Sequence, residues 1–256
     1  MLDYAAFPEQ RQALIRQILQ QHGRAICSDL AVQLQVSEHT IRRDLHELSK
    51  EGICKKVYGG AVLQLQDGEN FTHRKAHHHA EKGLLAQRCA QLVKNGTCIF
   101  IDTGTTNLAM ASVLPDDLQL TVVTNAPDIA AVLLKHPLID VIMLGGQIQK
   151  NLGGCVGSHA LDQLKTIIFD QAFIGGCAMS PETGLTGFDY ADCEFKKAAI
   201  RQSNQTIVAL TANKIPGIAR FNVARCDEID VLVVEETLSD EVRKAFELQE
   251  IILVTA

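Results

Sequence analysis

At 256 residues, with 46% hydrophobic and 21% charged residues, the chain can bury a core in one large domain or in a small and a medium one, and its composition is that of a globular protein. No apolar run reaches membrane-span length, and residues 1–12 lack a basic segment followed by an apolar one, so neither a spanning helix nor a secretory leader is expected and a cytoplasmic setting is. The net charge of −6 is unevenly divided: residues 1–62 carry 8 Lys+Arg against 7 Asp+Glu, the remainder 16 against 23, so only the front suits contact with a polyanion.

The first segment has a helical rhythm. From Pro8, apolar residues recur at Leu14, Ile15, Ile18 and Leu19, and Gly23 is placed to stop the helix. Ser28 precedes DLAVQL and Ser37 precedes EHTIRRDLHEL, and both stand where N-caps stand. Leu30, Ala31 and Leu34 give the second stretch an apolar face; Ile41, Leu45 and Leu48 do the same for the third. Only Gln35-Val36-Ser37 separates the two, which is the spacing of a helix-turn-helix. ICKKVYGGAV then reads as two short extended runs about Gly59-Gly60, a wing whose Lys55 and Lys56 suit backbone phosphates.

Residues 64–80 are polar and are expected to form an irregular linker between domains at 1–63 and 81–256. His77, His78 and His79 lie in it, but consecutive histidines point apart, and neither a metal nor a cofactor is expected. The eight cysteines, at 27, 54, 89, 98, 155, 177, 193 and 226, make no CxxC pair and no Cys/His cluster, so reduced, buried thiols are expected.

From Glu81 onward, runs rich in Val, Ile and Leu at 97–102, 118–124, 140–144, 171–175, 206–210, 230–235 and 250–255 alternate with helical stretches at 106–114, 127–135, 158–166, 190–202 and 239–248. Near-continuous apolar strands separated by helices predict a doubly wound, mostly parallel α/β domain.

Two sets of residues carry candidate chemistry. With Ile41, Leu45 and Leu48 turned inward, His39, Thr40, Arg42 and Arg43 lie at or beside the outward face of the third helix, where a recognition helix meets double-stranded DNA. Ser28, Ser37, Lys55 and Lys56 complete the expected DNA-binding set. In the second domain, Asp102-Thr103-Gly104-Thr105-Thr106 follows a strand and opens a helix, an arrangement of N–H groups and hydroxyls suited to a phosphate. Thr124-Asn125 and Gly145-Gly146 fall at the ends of the next strands; the glycines either admit a ligand to the backbone or simply make a tight turn. Asp189 and Asp192 open a later helix with Lys196 one turn in, as a ligand contact or as a solvated lysine.

Ser37-x-x-Thr40-Ile41-Arg42-Arg43-Asp44-Leu45 followed by Tyr58-Gly59-Gly60-Ala61 resembles the signature of DeoR-family bacterial regulators, and Glu81-Lys82, IDTGTTN, VVTN, MLGG and AFIGG resemble that family's effector domain. The resemblance implies a homo-oligomeric (dimeric or tetrameric) repressor, less often an activator, of a sugar-catabolic operon, relieved by a phosphorylated metabolite. It also implies a sensor fold shared with ribose-5-phosphate isomerase and CoA transferases, with Lys196 and Lys214 as basic positions at the ligand. One departure stands out: where the family has D-x-S-K-F, this chain has Thr211 for the aspartate and Ile215 for the aromatic, keeping Lys214. The competing reading is a sugar-phosphate isomerase-like enzyme with a fused DNA-binding module; the D-G-A-D-E segment associated with that isomerase is absent. A third is a helix-turn-helix used for protein contacts alone. On the regulator reading, effector binding at the strand ends changes subunit or domain geometry, and with it the presentation of paired reading heads.

Overall fold

The computed structural model describes residues 7–66, 70–77 and 79–256. Parts of the expected linker, including His78, and the first six residues lie outside these.

The front of the chain folds as α1 (Pro8–His22), β1 (Arg24–Ile26), α2 (Cys27–Leu34), α3 (Glu38–Lys50), β2 (Cys54–Val57) and β3 (Gly60–Leu63). Gly23 ends α1 with φ 70° and donates its N–H to the Leu19 carbonyl at 2.8 Å, a left-handed position glycine adopts without strain. Ile15, Leu19, Leu30, Leu34, Ile41, Leu45 and Leu48 meet in one apolar cluster. Burying each is worth roughly 1.5–3 kcal/mol. Beneath them, Arg11 of α1 and Asp44 of α3 form a buried ion pair, with Nη2 to Oδ1 at 3.0 Å.

Two features of this unit escape the periodicity of its sequence. The strand β1 pairs antiparallel with β3, giving the order β1-β3-β2. Because β1 runs straight into α2, Ile26 occupies the N-cap and the expected cap at Ser28 is not formed; the Cys27 N–H goes instead to the Gly59 carbonyl at 2.8 Å, and the Ser28 hydroxyl donates to Asp29. Ser37 does cap α3, accepting the Thr40 N–H at 3.2 Å.

The expected irregular linker is partly helical. It carries α4 (Phe71–Ala76), and α5 (His79–Gln91) begins within its end. Asn70 caps α4 by accepting the His73 N–H, and Phe71 is buried against Gly153 and the core under the sheet. Local caps and one buried aromatic thus order a stretch whose polarity reads as loop.

The remainder runs β4 (Cys98–Ile101), α6 (Thr105–Ala111), β5 (Leu120–Thr124), α7 (Pro127–Leu133), β6 (Ile139–Met143), β7 (Ile148–Gln149), β8 (Gly154–Cys155), α8 (Ser158–Leu164), β9 (Gln171–Ile174), β10 (Ala178–Ser180), β11 (Gly184–Gly187), α9 (Tyr190–Arg201), β12 (Thr206–Ala209), β13 (Phe221–Ala224), β14 (Val231–Val234), α10 (Asp240–Glu247) and β15 (Ile252–Thr255). All seven expected strands join one parallel sheet in the order β15-β14-β12-β9-β4-β5-β6. Its faces alternate by residue: Ile99, Ile101, Phe173, Ile207 and Val233 pack under α5, α6 and α7, whereas Phe100, Ile174, Val208 and Leu232 pack under α8, α9 and α10. This is the doubly wound α/β architecture. A small antiparallel sheet, β10-β11-β13, is an addition that the strand-helix alternation does not foretell.

The strand order reverses at β4. From it the chain steps outward through β5 and β6 on one side, while β9, β12, β14 and β15 extend the other. The crevice at the carboxyl ends of β4 and β9 is therefore the topological switch point, where open α/β sheets bind ligands. Among the described residues, no helix is long and apolar enough to cross a membrane.

Candidate DNA-reading face and ligand cavity

On α3, packing of Ile41, Asp44, Leu45 and Leu48 leaves His39, Arg42 and Arg43 exposed on the opposite face. Arg42 pairs with Glu38 one turn earlier at 2.8 Å, on the surface, where such pairs are worth little. Thr40 is half-buried and its hydroxyl lies 2.9 Å from that of Ser37, so these two serve the helix start. Ser28 is exposed on the neighbouring helix. In the wing, Lys55 and Lys56 are exposed on β2, and Tyr58 stands fully in solvent at the hairpin tip. The two glycines of the tip do different work. Gly59 has φ 79°, whereas a Cβ on Gly60 would collide with the Ala25 carbonyl oxygen of β1.

A cavity of about 320 Å³ opens at the switch point of the sheet. Its floor is the turn after β4, Thr103 to Asn107; its walls come from Gly175, Gly176 and Cys177 after β9, from Phe188, Asp189, Asp192 and Lys196 at the start of α9, and from Lys214. The N–H groups of Thr105 and Thr106 open α6 and have no partner one turn back in the helix, and both residues line the cavity. Glycine is required at 175, where a Cβ would press on the Thr103 carbonyl oxygen.

Asp102, Asp192 and Lys196 form a buried cluster behind this wall. The Lys196 ammonium lies 3.1 Å from Asp102 Oδ2 and also donates to Asp192 Oδ1. Asp102 Oδ2 accepts the Gly175 N–H at 2.8 Å, while its Oδ1 makes no hydrogen bond among the described residues. Burial pushes the Asp102 carboxyl up to about 6; Lys196 pulls the other way and Asp192 adds to the rise. Burial works against the Lys196 ammonium too, but Asp102 and Asp192 outweigh it and hold its pKa above the ordinary lysine value. Lys196 is thus a charged member of an ion cluster that braces α9 against β4, with its flank on the cavity.

The sequence-derived ligand set divides by distance from the switch point. Thr103, Gly104, Thr105, Thr106, Lys196 and Lys214 line the cavity, and Asp102 supports it from behind. Thr124, Asn125, Gly145 and Gly146 do not line it, because they follow β5 and β6, one and two strands farther out. Thr124 donates its hydroxyl to the Ile101 carbonyl, Asn125 accepts the Thr103 N–H at 3.0 Å, and Gly145 donates to Gln163. Thr124 and Asn125 thus shape the turn after β4. Thr211, at the family's aspartate position, is buried and bonds Asn213, away from the cavity. Lys214 donates to the Gly176 carbonyl at 2.9 Å.

Asn70, Arg74, Asn151 and Cys177 also line the cavity, and the sequence singles out none of them as ligand residues. For Asn70 and Arg74 the signal was present but masked: Asn70 sits three residues before a helix-start N–H, within a stretch whose polarity reads as linker.

Comparison with known proteins covers both halves of the chain. The DeoR-like helix-turn-helix domain matches residues 11–66, and the DeoR C terminal sensor domain matches residues 77–236. The HTH-type transcriptional regulator GolR of Listeria innocua is 32% identical over 94% of this chain and 96% of its own length. The glycerol-3-phosphate regulon repressor of Escherichia coli is 30% identical over 87% of this chain and 89% of its own. Among solved structures, ribose 5-phosphate isomerase A of Methanocaldococcus jannaschii matches 52% of each chain at 18% identity, with a TM-score of 0.39. With both domains matched and relatives spanning nearly its whole length, the chain belongs to the DeoR family of DNA-binding transcriptional regulators.

Proposed function

We propose that the chain represses a carbohydrate-catabolism operon and releases it when a small phosphorylated metabolite fills the cavity at the switch point. The observation that carries this reading is the coincidence, in one cavity of about 320 Å³, of the α6 start, the hydroxyls of Thr103, Thr105 and Thr106, and the Lys214 ammonium. N–H donors at a helix start together with a cation are a phosphate-binding arrangement. The volume suits a compound of sugar-phosphate size. The name of the Escherichia coli relative, a glycerol-3-phosphate regulon repressor, points to the same ligand class. On this reading α3 presents Arg42 and Arg43 to base edges, Lys55 and Lys56 meet the backbone, and a homo-oligomer places paired reading heads on a symmetric operator in the cytoplasm.

The enzyme reading is disfavoured by the placement of the acid-base cluster beside the cavity: Asp102, whose carboxyl pKa is raised, stands behind the wall and does not line it. Lys196 is held charged between two buried carboxylates, which suits bracing and not proton shuttling. The test uses full-length protein and a DNA fragment selected from a random pool. A phosphorylated sugar or polyol that weakens DNA binding at fixed salt, while its dephosphorylated counterpart does not, supports the proposal; catalytic turnover of that compound, or DNA affinity indifferent to every phosphorylated compound that raises the melting temperature, refutes it.

A further inference from the structure

Of the three cations lining the cavity, Lys196 is committed to Asp102 and Asp192, and Lys214 to the Gly176 carbonyl among its contacts. Arg74 differs. It is half-buried, and its guanidinium makes no ion pair or hydrogen bond with any described residue. A half-buried guanidinium with no acceptor among the described residues is open to an anionic ligand, and its five N–H donors in a fixed fork match a phosphate or a carboxylate in two-point contact, the phosphate being the anion for which the cavity is read above.

Its placement is built, not incidental. The Phe71 N–H donates to the Asn151 carbonyl at 2.9 Å, and the Phe71 ring lies on Gly153, where any Cβ would intrude. At the other end, the buried Lys82 ammonium donates to the carbonyls of Arg74 and His77, satisfying the helix terminus. Outside, Lys75 pairs with Asp128 of α7 at 2.9 Å. These contacts fix a six-residue helix over the cavity mouth with one long cation turned inward.

We infer that Arg74 is a ligand-binding residue: its guanidinium closes on the phosphate of the effector from the connecting segment, so that α4 is a strap completed by the ligand. The inference rests on the phosphate reading of the cavity given above. It makes the effector site a composite of sensor domain and connector, and it makes recognition depend on the anionic group. A neutral sugar gains nothing from Arg74, while a phosphorylated one is clasped by it and adds a further tie to a helix already seated over the cavity.

The test uses the full chain with inorganic phosphate as the probe, followed by isothermal titration and by hydrogen exchange of the α4 amides, in wild type, Arg74→Gln and Arg74→Lys. The expected result is one phosphate per wild-type chain with slowed exchange over residues 71–76. Arg74→Gln then binds at least on the order of tenfold more weakly and loses the protection, with Arg74→Lys in between, because a point charge replaces the fork. Should Arg74→Gln not fold, Arg74→Lys still reads the loss of bidentate contact. If wild type and both variants bind phosphate equally, or α4 exchange ignores phosphate, the role of Arg74 is overturned and the phosphate reading survives. If wild-type protein binds no phosphate, the phosphate reading itself falls, and this inference with it.

Discussion

Replacing Lys196 by Met tests the buried cluster behind the cavity. Met keeps most of the length of the side chain and removes its charge. In the wild-type structure the ammonium serves two carboxylates, and the side chains of Asp102, Asp192 and Lys196 are almost wholly excluded from solvent. Without it, Asp102 keeps one hydrogen bond, from the Gly175 N–H, and the Asp192 side chain keeps none among the described residues. Removing one partner of a buried ion pair costs about 3–5 kcal/mol. At roughly 2–4 °C per kcal/mol for a unit of this size, the melting temperature should fall by roughly 6–20 °C. The pH dependence has a definite sign. Loss of the cation raises the folded-state pKa of Asp102 further above its unfolded value of 3.8, so the folded variant binds this proton more tightly than the unfolded chain, and its stability falls as pH rises through that interval. The deficit relative to wild type should therefore be smallest near pH 5 and largest near pH 8, measured by thermal unfolding at constant ionic strength. A deficit within a degree or two at pH 8, or one that shrinks as pH rises, refutes the assignment of Lys196 as a charged brace.

Arg42→Ala and Arg43→Ala should each weaken operator binding by about 1–3 kcal/mol and relax sequence preference if they read bases, with equal affinity of the double variant excluding α3 as the reading helix. Lys55→Gln and Lys56→Gln should act evenly across sequences and together reduce the slope of log affinity against log salt by about 2, since each phosphate contact contributes roughly 0.9. Gly60→Ala places a Cβ against the Ala25 carbonyl of β1, so the β1–β3 pairing must open; circular dichroism melting should show a reading head destabilised by roughly 1–3 kcal/mol, and an unchanged melt would mean the strands separate freely.

What the sequence discloses here follows from how far each signal reaches along the chain. The seven parallel strands are legible because strands buried on both faces are apolar throughout, and each lies within two residues of its expected position. The α3 cap at Ser37 is legible because a helix entered from a turn must satisfy its own first N–H groups. The cap expected at Ser28 is absent for the complementary reason: Gly59, in the turn between β2 and β3, supplies the partner for Cys27, and no local pattern reports that. Thr124 and Gly145 are placed at strand ends correctly, yet only the strand order shows that those ends lie away from the crevice. Arg74 is hidden by composition, since polarity marks exposure and cannot distinguish a solvated linker from a polar wall. The pairing of Lys196 with Asp102, across 94 residues, has no one-dimensional trace at all.

The routes between cavity and reading head are short. Lys214 lines the cavity; two residues on, Pro216 packs against Gly23 at the end of α1; and Ile218 exchanges hydrogen bonds with the continuation of β3, accepting from the Leu65 N–H at 2.9 Å and donating to the Leu63 carbonyl at 3.0 Å. The second route is the connector itself, through Asn70 and Arg74 on the cavity mouth. By contrast, the ion pairs of Arg24 with Glu182 and Glu241 are long, at 3.7 Å each, and partly exposed, so they add little to the joint. The joint is therefore made chiefly of backbone pairing and one glycine contact, which are discrete: they are formed or broken, and do not stretch. On the proposed reading, a ligand that holds Lys214 and Arg74 together acts on both routes at once, and Lys214 lies four residues from Ile218, which pairs with the end of β3 and its continuation. Coupling of this kind requires no extended chain of side chains through the core, only two segments whose ends belong to different domains.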